Sequence, residues 1–456
     1  MSRYRHFIEQ LRSCALQPCI QDAGGCNYRY SDLLQELSAW HSRFDELSIA
    51  PGTVVGLRSD YSFSGIAALL ALLSRDAIAA LIPRSGPVER YVGDAHVKAL
   101  LELSSDGSVQ WHCPSSVASH PLLERLRAQH EGGVIIFTSG SSGTPKAALQ
   151  SIERFLYKFQ KPGRSFRTIA FLLFDHVGGL DTLFYTLASG GTLILPQRRD
   201  PESILDLIEA HRAEVLPTSP SFLRSLCVIG ERRKRDLSSL KIITYGSEPM
   251  DESTLARLNA SFPNARLTQK YGTTETGSPR SVSRSNDSLW LKIKSDEVDA
   301  KVVDGVLWLR GEATMLGYLN APSPVDEHGW YCTGDLVDVD GEWIRFRGRL
   351  SDILNVGGEK VAPVEVEQTI LQLDFVRDVS VAGEPHPLVG SVVVARVALH
   401  AKTLSSKEAV RQILRHCRAH LARHKVPVRI DFVDGDLVND RQKAQRTRAV
   451  RPSGIH

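Results

Sequence analysis

The chain has 456 residues, 42% of them hydrophobic and 23% charged. That is the balance of an ordinary folded chain, and its length calls for two or three packed units. A formal net charge of +3 leaves no electrostatic footprint for nucleic acid or an anionic membrane surface. Seven cysteines without CxxC spacing give neither a disulfide framework nor a zinc site and fit a reducing compartment. No apolar leader follows Met-Ser-Arg-Tyr-Arg-His, and the longest apolar run, 65–73, is too short to span a bilayer. A cytoplasmic protein is expected.

Leu33, Leu34, Leu37, Trp40 and Phe44 recur at helical spacing and predict a helix over 30–47, with Ser31 or Asp32 as N-cap. Pro51-Gly52 turns into a short strand at 54–57. Residues 66–73 are apolar all round and read as a buried helix, and 77–82 as a strand. This alternation predicts a layered α/β domain.

Val134-Ile135-Ile136-Phe137 reads as a buried strand that breaks into Thr138-Ser139-Gly140-Ser141-Ser142-Gly143-Thr144-Pro145-Lys146. Small residues let backbone N–H groups converge on anionic oxygens, the hydroxyls add donors, and Lys146 adds charge. The pattern suits a polyphosphate. A Gly/Ser linker would not follow directly on a buried strand, and no G-x-x-x-x-G-K-[ST] P-loop is present.

Further on, a strand at 168–174 leads to Asp175-His176-Val177-Gly178-Gly179, followed by a helix at 180–187 and a strand at 192–195. A helix at 204–211 and a strand end at 215–220 precede a strand at 241–244, which enters Tyr245-Gly246-Ser247-Glu248-Pro249. The next motif is Tyr271-Gly272-Thr273-Thr274-Glu275-Thr276-Gly277. Tyr271 offers a flat aromatic face, Thr274 a hydroxyl able to meet a phosphate oxygen, and Glu275 a hard oxygen ligand of the kind Mg²⁺ takes. A carboxylate beside a triphosphate needs a cation between them.

Short alternating strands with Gly turns over 301–348 predict a small barrel-like subdomain. It contains Tyr331-Cys332-Thr333-Gly334-Asp335-Leu336, whose Asp335 carboxylate is able to accept two hydroxyl donors at once. Residues 364–456 predict a small α+β unit: a helix at 364–373, strands at 376–382 and 391–399, and a helix at 407–421. The basic stretch beyond Arg411 has interspersed acids and no alternating aromatics, so it is not read as a nucleic-acid surface.

In this order the motifs resemble those of the adenylate-forming superfamily: acyl-CoA synthetases, aryl-acid ligases, luciferases and peptide-synthetase adenylation domains. The resemblance implies a large N-terminal ATP- and acid-binding domain over 1–350, with layered α/β subdomains and a small β-barrel-like one. A small mobile α+β domain over 351–456 would follow. Thr138, Ser139, Gly140, Ser141, Ser142, Gly143, Thr144 and Lys146 would hold the ATP phosphates. Tyr271, Gly272, Thr273, Asp335 and Arg349 would hold the nucleoside, with Thr274 and Glu275 catalytic and Glu275 the Mg²⁺ ligand. Gly246, Ser247 and Glu248 would flank the adenine and acyl pocket, although a plain β–α turn explains the same residues.

His176 would lie at the acid pocket, or is simply a hydrogen-bonded histidine at a strand end. Val177 stands where amino-acid-activating relatives carry an Asp, which argues against an α-amino acid. Ser351 takes the hinge position, commonly Asp or Lys. Gly357-Gly358 would approach a pantetheine, or is a simple hairpin turn. The catalytic lysine would be Lys443, with Gln442 in place of the usual Gly and no Pro-Arg-Thr element; Lys425 is the alternative.

The implied activity is ATP-dependent conversion of a small carboxylic acid to an acyl-adenylate, then thioester formation with CoA. Loading of an acyl carrier protein's pantetheine, or a non-catalytic nucleotide-binding homologue, are the alternatives. With no charged residue assigned to the acid pocket, an apolar aliphatic or aromatic acid is expected.

Overall fold

The computed structural model describes residues 2–22, 24–104, 108–112, 119–138, 144–230 (without the side chains of 228–230), 235–294, 296–400, 404–433 and 437. Among these, apolar alternation along the strands decides the layering. In one seven-stranded sheet, Val54, Ile78, Ala80 and Ile135 face one core. Their neighbours Val55, Leu57, Ala79, Leu81 and Ile136 face another. That second core also takes Ile20, Leu193 and Leu195 from a second seven-stranded sheet, whose opposite face (Ile169, Ile194, Leu216, Ile243, Leu267) packs elsewhere.

Between the two sheets lies helix Phe63–Ser74, buried from Gly65 to Leu73. A helix apolar on every side is stable only where protein covers all of it. Each leucine so buried contributes about 2 kcal/mol. Helices Pro201–His211, Pro220–Gly230 and Glu252–Ser261 cover the outer face of one sheet, and Val88–Asp94 with Pro121–Gln129 that of the other. The molecule is therefore a mixed, layered α/β structure, as the residue pattern implies.

The sheet that positions much of the site runs Arg266–Gln269, Ile242–Tyr245, Val215–Thr218, Arg167–Ile169, Thr192–Leu195 and Pro18–Asp22, all parallel, with Asn27–Arg29 antiparallel at its edge. Its strands all end on one rim, where ligands settle in open parallel sheets. A six-stranded antiparallel sheet follows, from Ser281–Ser283 to Trp343–Arg349. The last unit pairs Leu354–Val356, Glu359–Val361, Val376–His386, Gly390–Leu399 and Arg429–Phe432 in a five-stranded sheet, with helices Pro363–Leu371 and Ser406–His420 against it. No described helix is long and apolar enough to cross a membrane.

Some local expectations change. The strand expected over 168–174 stops at Ile169. The Phe171 N–H turns back to the Ile169 carbonyl at 2.9 Å, and His176 becomes the N-cap of helix Val177–Ala188. The helix Tyr30–Glu46 is capped at Arg29 rather than Ser31 or Asp32. Asp32 sits in its first turn, where the carboxylate accepts the Arg29 N–H at 2.8 Å. Strand Gly133–Thr138 pairs antiparallel with Lys146–Ser151, a pairing that the Ser/Gly pattern did not disclose.

Candidate active site

Thr138 and Lys146 face each other across the hairpin and frame the mouth of the serine-rich loop. Ser139, Gly140, Ser141, Ser142 and Gly143 lie outside the described residues, as does Lys443. Thr144 is exposed at the loop's exit. There the Asn320 amide clamps the backbone: its Nδ2 donates to the Pro145 carbonyl at 3.0 Å, and its Oδ1 accepts the Ala147 N–H at 2.9 Å.

The Tyr271–Gly277 segment is tied to that hairpin by Gln150, whose Nε2 donates to the Thr274 carbonyl at 2.6 Å. Lys146 Nζ sits 5.1 Å from the centre of the Tyr318 ring. The Tyr318 hydroxyl in turn donates to the buried Glu275 carboxylate. Tyr331 also lies within the field of Glu275 and of Asp335. Burial, and then the Glu275 carboxylate, hold both phenols above their ordinary range, so both remain neutral donors.

Tyr271 donates from its hydroxyl to Asp335 Oδ2 at 2.7 Å, while Arg349 Nε donates to Asp335 Oδ1 at 2.9 Å. Burial alone would lower the Arg349 pKa; Asp335 more than offsets this and holds it above its ordinary value. Phe346 stacks on one face of Tyr271 at 4.7 Å and 14° between planes, which fixes the plane of the buried ring. Lys146, Glu275 and Asp335 thus belong to one cluster, linked through Tyr318, Tyr331 and Tyr271. These tyrosines and Asn320 carried no signal of their own in the sequence, apart from Tyr271.

Two glycines in the site have no freedom to change. A Cβ at Gly272 would stand 2.8 Å from the Gly277 carbonyl oxygen and from Ser278 Cα. One at Gly246 would stand 2.5 Å from the Lys270 carbonyl oxygen. Thr273 pairs with Gly277 across a tight bridge, and its Oγ1 accepts the Thr276 N–H at 3.1 Å. Ser247 takes a left-handed backbone, φ 70°, a strained conformation of the kind held at functional turns. Glu248 turns to helix Pro220–Gly230, accepting the Ser221 N–H at 3.1 Å and the Ser221 hydroxyl at 2.7 Å.

His176 accepts the Gly178 N–H on Nδ1 at 3.3 Å and opens helix Val177–Ala188. The neighbouring Tyr61 hydroxyl donates to the Gly179 carbonyl at 2.6 Å. Lys425, the alternative catalytic lysine, donates to both Glu365 oxygens at 2.7 Å, so its charge is already committed. Gly357 and Gly358 form an exposed left-handed turn, φ 61° and 92°, with open space around each. Ser351 lies exposed in the short turn Leu350–Asp352.

Glu275 meets the chemical requirement for Mg²⁺: it is a buried carboxylate with no Lys or Arg within 4 Å among the described residues. Among those residues no cluster of three or more His, Cys, Asp or Glu side chains forms a metal site. An ion there would complete its shell with substrate oxygens, the usual habit of Mg²⁺.

Proteins of the adenylate-forming class are built on this plan. The chain belongs to the AMP-binding enzyme family: the AMP-binding enzyme model matches residues 9–319, and the model of that enzyme's C-terminal domain matches residues 365–442. It is 30% identical over 318 residues, 66% of this chain and 62% of the relative, to a methyl-dioxo-octahydro-indenyl propanoyl:CoA ligase of Mycobacterium tuberculosis. The chain spans about three fifths of the length of such curated relatives. Among solved structures it superposes on the amide bond synthetase McbA of Marinactinospora thermotolerans with a TM-score of 0.78 at 24% identity, covering 97% of this chain and 98% of that one. It superposes on the anthranilate CoA ligase AuaEII, in complex with anthranoyl-AMP, with a TM-score of 0.82 at 20% identity, covering 95% and 94%. At these identities the structural likeness establishes the fold.

Proposed function

We propose that the protein activates a carboxylic acid with ATP and transfers the acyl group to the thiol of CoA. The observation that carries this reading is the convergence of Lys146, Glu275 and Asp335 through three tyrosines. In the first half-reaction a substrate carboxylate oxygen attacks the α-phosphorus, the bond to the β-phosphate bridge breaks, and pyrophosphate leaves. Positioning and charge neutralisation supply most of the rate. Thr138, Ser139, Gly140, Ser141, Ser142, Gly143, Thr144 and Lys146 hold the phosphates, Tyr271 with Gly246 and Ser247 holds the base, and Asp335 with Arg349 holds the ribose. Glu275 would hold Mg²⁺, which supplies charge neutralisation at the phosphates. Thr274 and Lys443 face the α-phosphate, and His176 borders the acid.

In the second half-reaction the unit beyond Ser351 turns, withdraws Lys443, and brings Gly357-Gly358 to the site. A thiolate then attacks the acyl carbon and AMP departs with the anhydride oxygen. The units on either side of Ser351, 1–350 and 351–456, are the two moving bodies of this proposal.

The test is pyrophosphate release across a panel of acids, with CoA, a pantetheinylated carrier or an amine as acyl acceptor and mass spectrometry of the product. In Lys443→Ala, acid-dependent pyrophosphate exchange is expected to fall on the order of 10²–10³-fold. Thioester formation from ready-made acyl-adenylate is expected to survive. Survival of both reactions reassigns the lysine. Binding of ATP without acid-dependent release would leave a nucleotide-binding protein that is not a ligase.

A further inference from the structure

Lys270 immediately precedes Tyr271 on the rim of the parallel sheet, and the reading above gives it no task. Its backbone is fixed: the Lys270 N–H donates to the Tyr245 carbonyl at 2.7 Å, and Gly246 packs against its carbonyl too closely to admit a side chain. The side chain lies deep in the protein yet keeps part of its surface accessible. A residue with both properties lines a recess rather than the outer surface.

The charges around Lys270 do not balance. Its ionic neighbours are Asp181, Lys158, Glu297 and Arg280. Asp181 already accepts from Lys158 Nζ, and both of those side chains are largely buried. Glu297 is taken by the Arg280 guanidinium at 2.9 Å and by the Arg280 N–H at 2.8 Å. Three cations therefore share two carboxylates, and among the described residues the Lys270 ammonium has no hydrogen bond or ion pair within 4 Å. Burial, only partly offset by Asp181, holds its pKa below the ordinary 10.5. A cation left in this position is costly to the fold unless an anion joins it.

None of these neighbours belongs to the Lys146–Glu275–Asp335 cluster, whose ionic partners are Tyr318, Tyr331, Tyr271 and Arg349. The Tyr271–Gly277 segment thus has a nucleotide-side charge cluster and, at its N-terminal end, a separate cationic recess. Asp181 of that recess lies on the helix that His176 caps, so one helix carries both an ionic neighbour of Lys270 and the residue assigned to the acid.

We propose that Lys270 selects acids bearing a second anionic group, namely a carboxylate at the end remote from the one activated. This rests on the acid-activating reading and replaces the expectation of a purely apolar acid. The remote carboxylate enters the recess and pairs with the Lys270 ammonium, while the reacting carboxylate stays on the nucleotide side of Tyr271. A substrate with an apolar end would leave that ammonium unpaired, and the site would reject it.

The experiment is pyrophosphate release with matched pairs, from butanoate and succinate through octanoate and suberate, and with benzoate and phthalate. For wild type, kcat/KM for the best dicarboxylate should exceed that for its matched monoacid on the order of a hundredfold. In Lys270→Met the preference should vanish through KM for the acid, with KM for ATP unchanged. Its thermal midpoint should be no lower than that of wild type, since a buried charge is removed. Lys270→Arg should retain the preference.

Activation of monoacids alone, or an undiminished preference in Lys270→Met, overturns this assignment while acid activation stands. Binding of ATP with no release for any acid overturns the activation reading and this inference with it.

Discussion

A single phenol shows how closely the parts of the site depend on each other. Tyr318 places its ring under Lys146 and its hydroxyl on Glu275. Tyr318→Phe keeps the aromatic face and removes only the donor. The buried Glu275 carboxylate then loses one of the two phenols that face it, a defect worth about 1 kcal/mol. The expected outcome is a thermal midpoint lower by several degrees and a loss of about tenfold in kcat/KM for Mg·ATP. Tyr318→Leu removes the cation–π contact as well and should lose more. Equal kinetics for wild type and Tyr318→Phe, measured with saturating acid, would mean that the hydroxyl does not position Glu275. The Asp335 pair makes a complementary case: Tyr271 and Arg349 each occupy one oxygen. A carboxylate has further lone pairs to offer ribose hydroxyls, so the pre-bound Asp335 arrives already oriented.

At the scale of elements, the glycines of the site differ sharply in what they allow. Gly272→Ala forces Cβ against backbone on two sides, and backbone cannot yield as a flexible side chain can. A cost of about 1–3 kcal/mol is expected. Because the displaced segment carries Thr274 and Glu275, acid-dependent pyrophosphate release should fall at least about tenfold. Gly357→Ala meets open space and costs only the left-handed backbone, about 1 kcal/mol. It should leave pyrophosphate release intact; parallel assays and melting curves of the two variants compare them directly. Elements of this kind were readable in the sequence where one physical rule dominated. The all-apolar run at 66–73 had to be buried, and Val134 to Phe137 had to be a core strand. The strand expected over 168–174 was overextended because its apolar residues beyond Ile169 fill a buried turn, Phe171 and Phe174 pointing into separate cores. Strand Lys146–Ser151, Asn320, Tyr318 and Lys270 meet their neighbours across separate elements. Local periodicity carries no information about such contacts.

At the scale of the whole molecule, a buried ionic contact fastens the last unit to the body. Arg224 on helix Pro220–Gly230 donates to Asp378 at 3.0 Å and lies 3.6 Å from Asp251. Burial would lower the Arg224 pKa, but Asp378 and Asp251 raise it above its ordinary value. Two backbone carbonyls complete the seam: Ser253 Oγ donates to Leu371 at 3.2 Å, and Gln368 Nε2 to Met250 at 3.3 Å. In this docking Gly357-Gly358 is turned outward to solvent, so the proposed approach of that turn to the site would require the unit to move. Under the proposed two-step cycle this seam would break once per turnover, and its strength would set the balance between the two arrangements. Asp378→Ala removes the partner contributed by the last unit and leaves Arg224 with Asp251, so the docked arrangement should lose about 2 kcal/mol, near the lower end for a truncated buried pair. That corresponds to a shift of about thirtyfold in the docking equilibrium. Proteolysis in the exposed Leu350–Asp352 turn should quicken, and acid-dependent pyrophosphate exchange should slow. Thioester formation from ready-made acyl-adenylate should hold steady or rise, because it draws on the undocked population. Parallel loss of both half-reactions with unchanged cleavage would make Arg224–Asp378 a contact of static stability and not a latch.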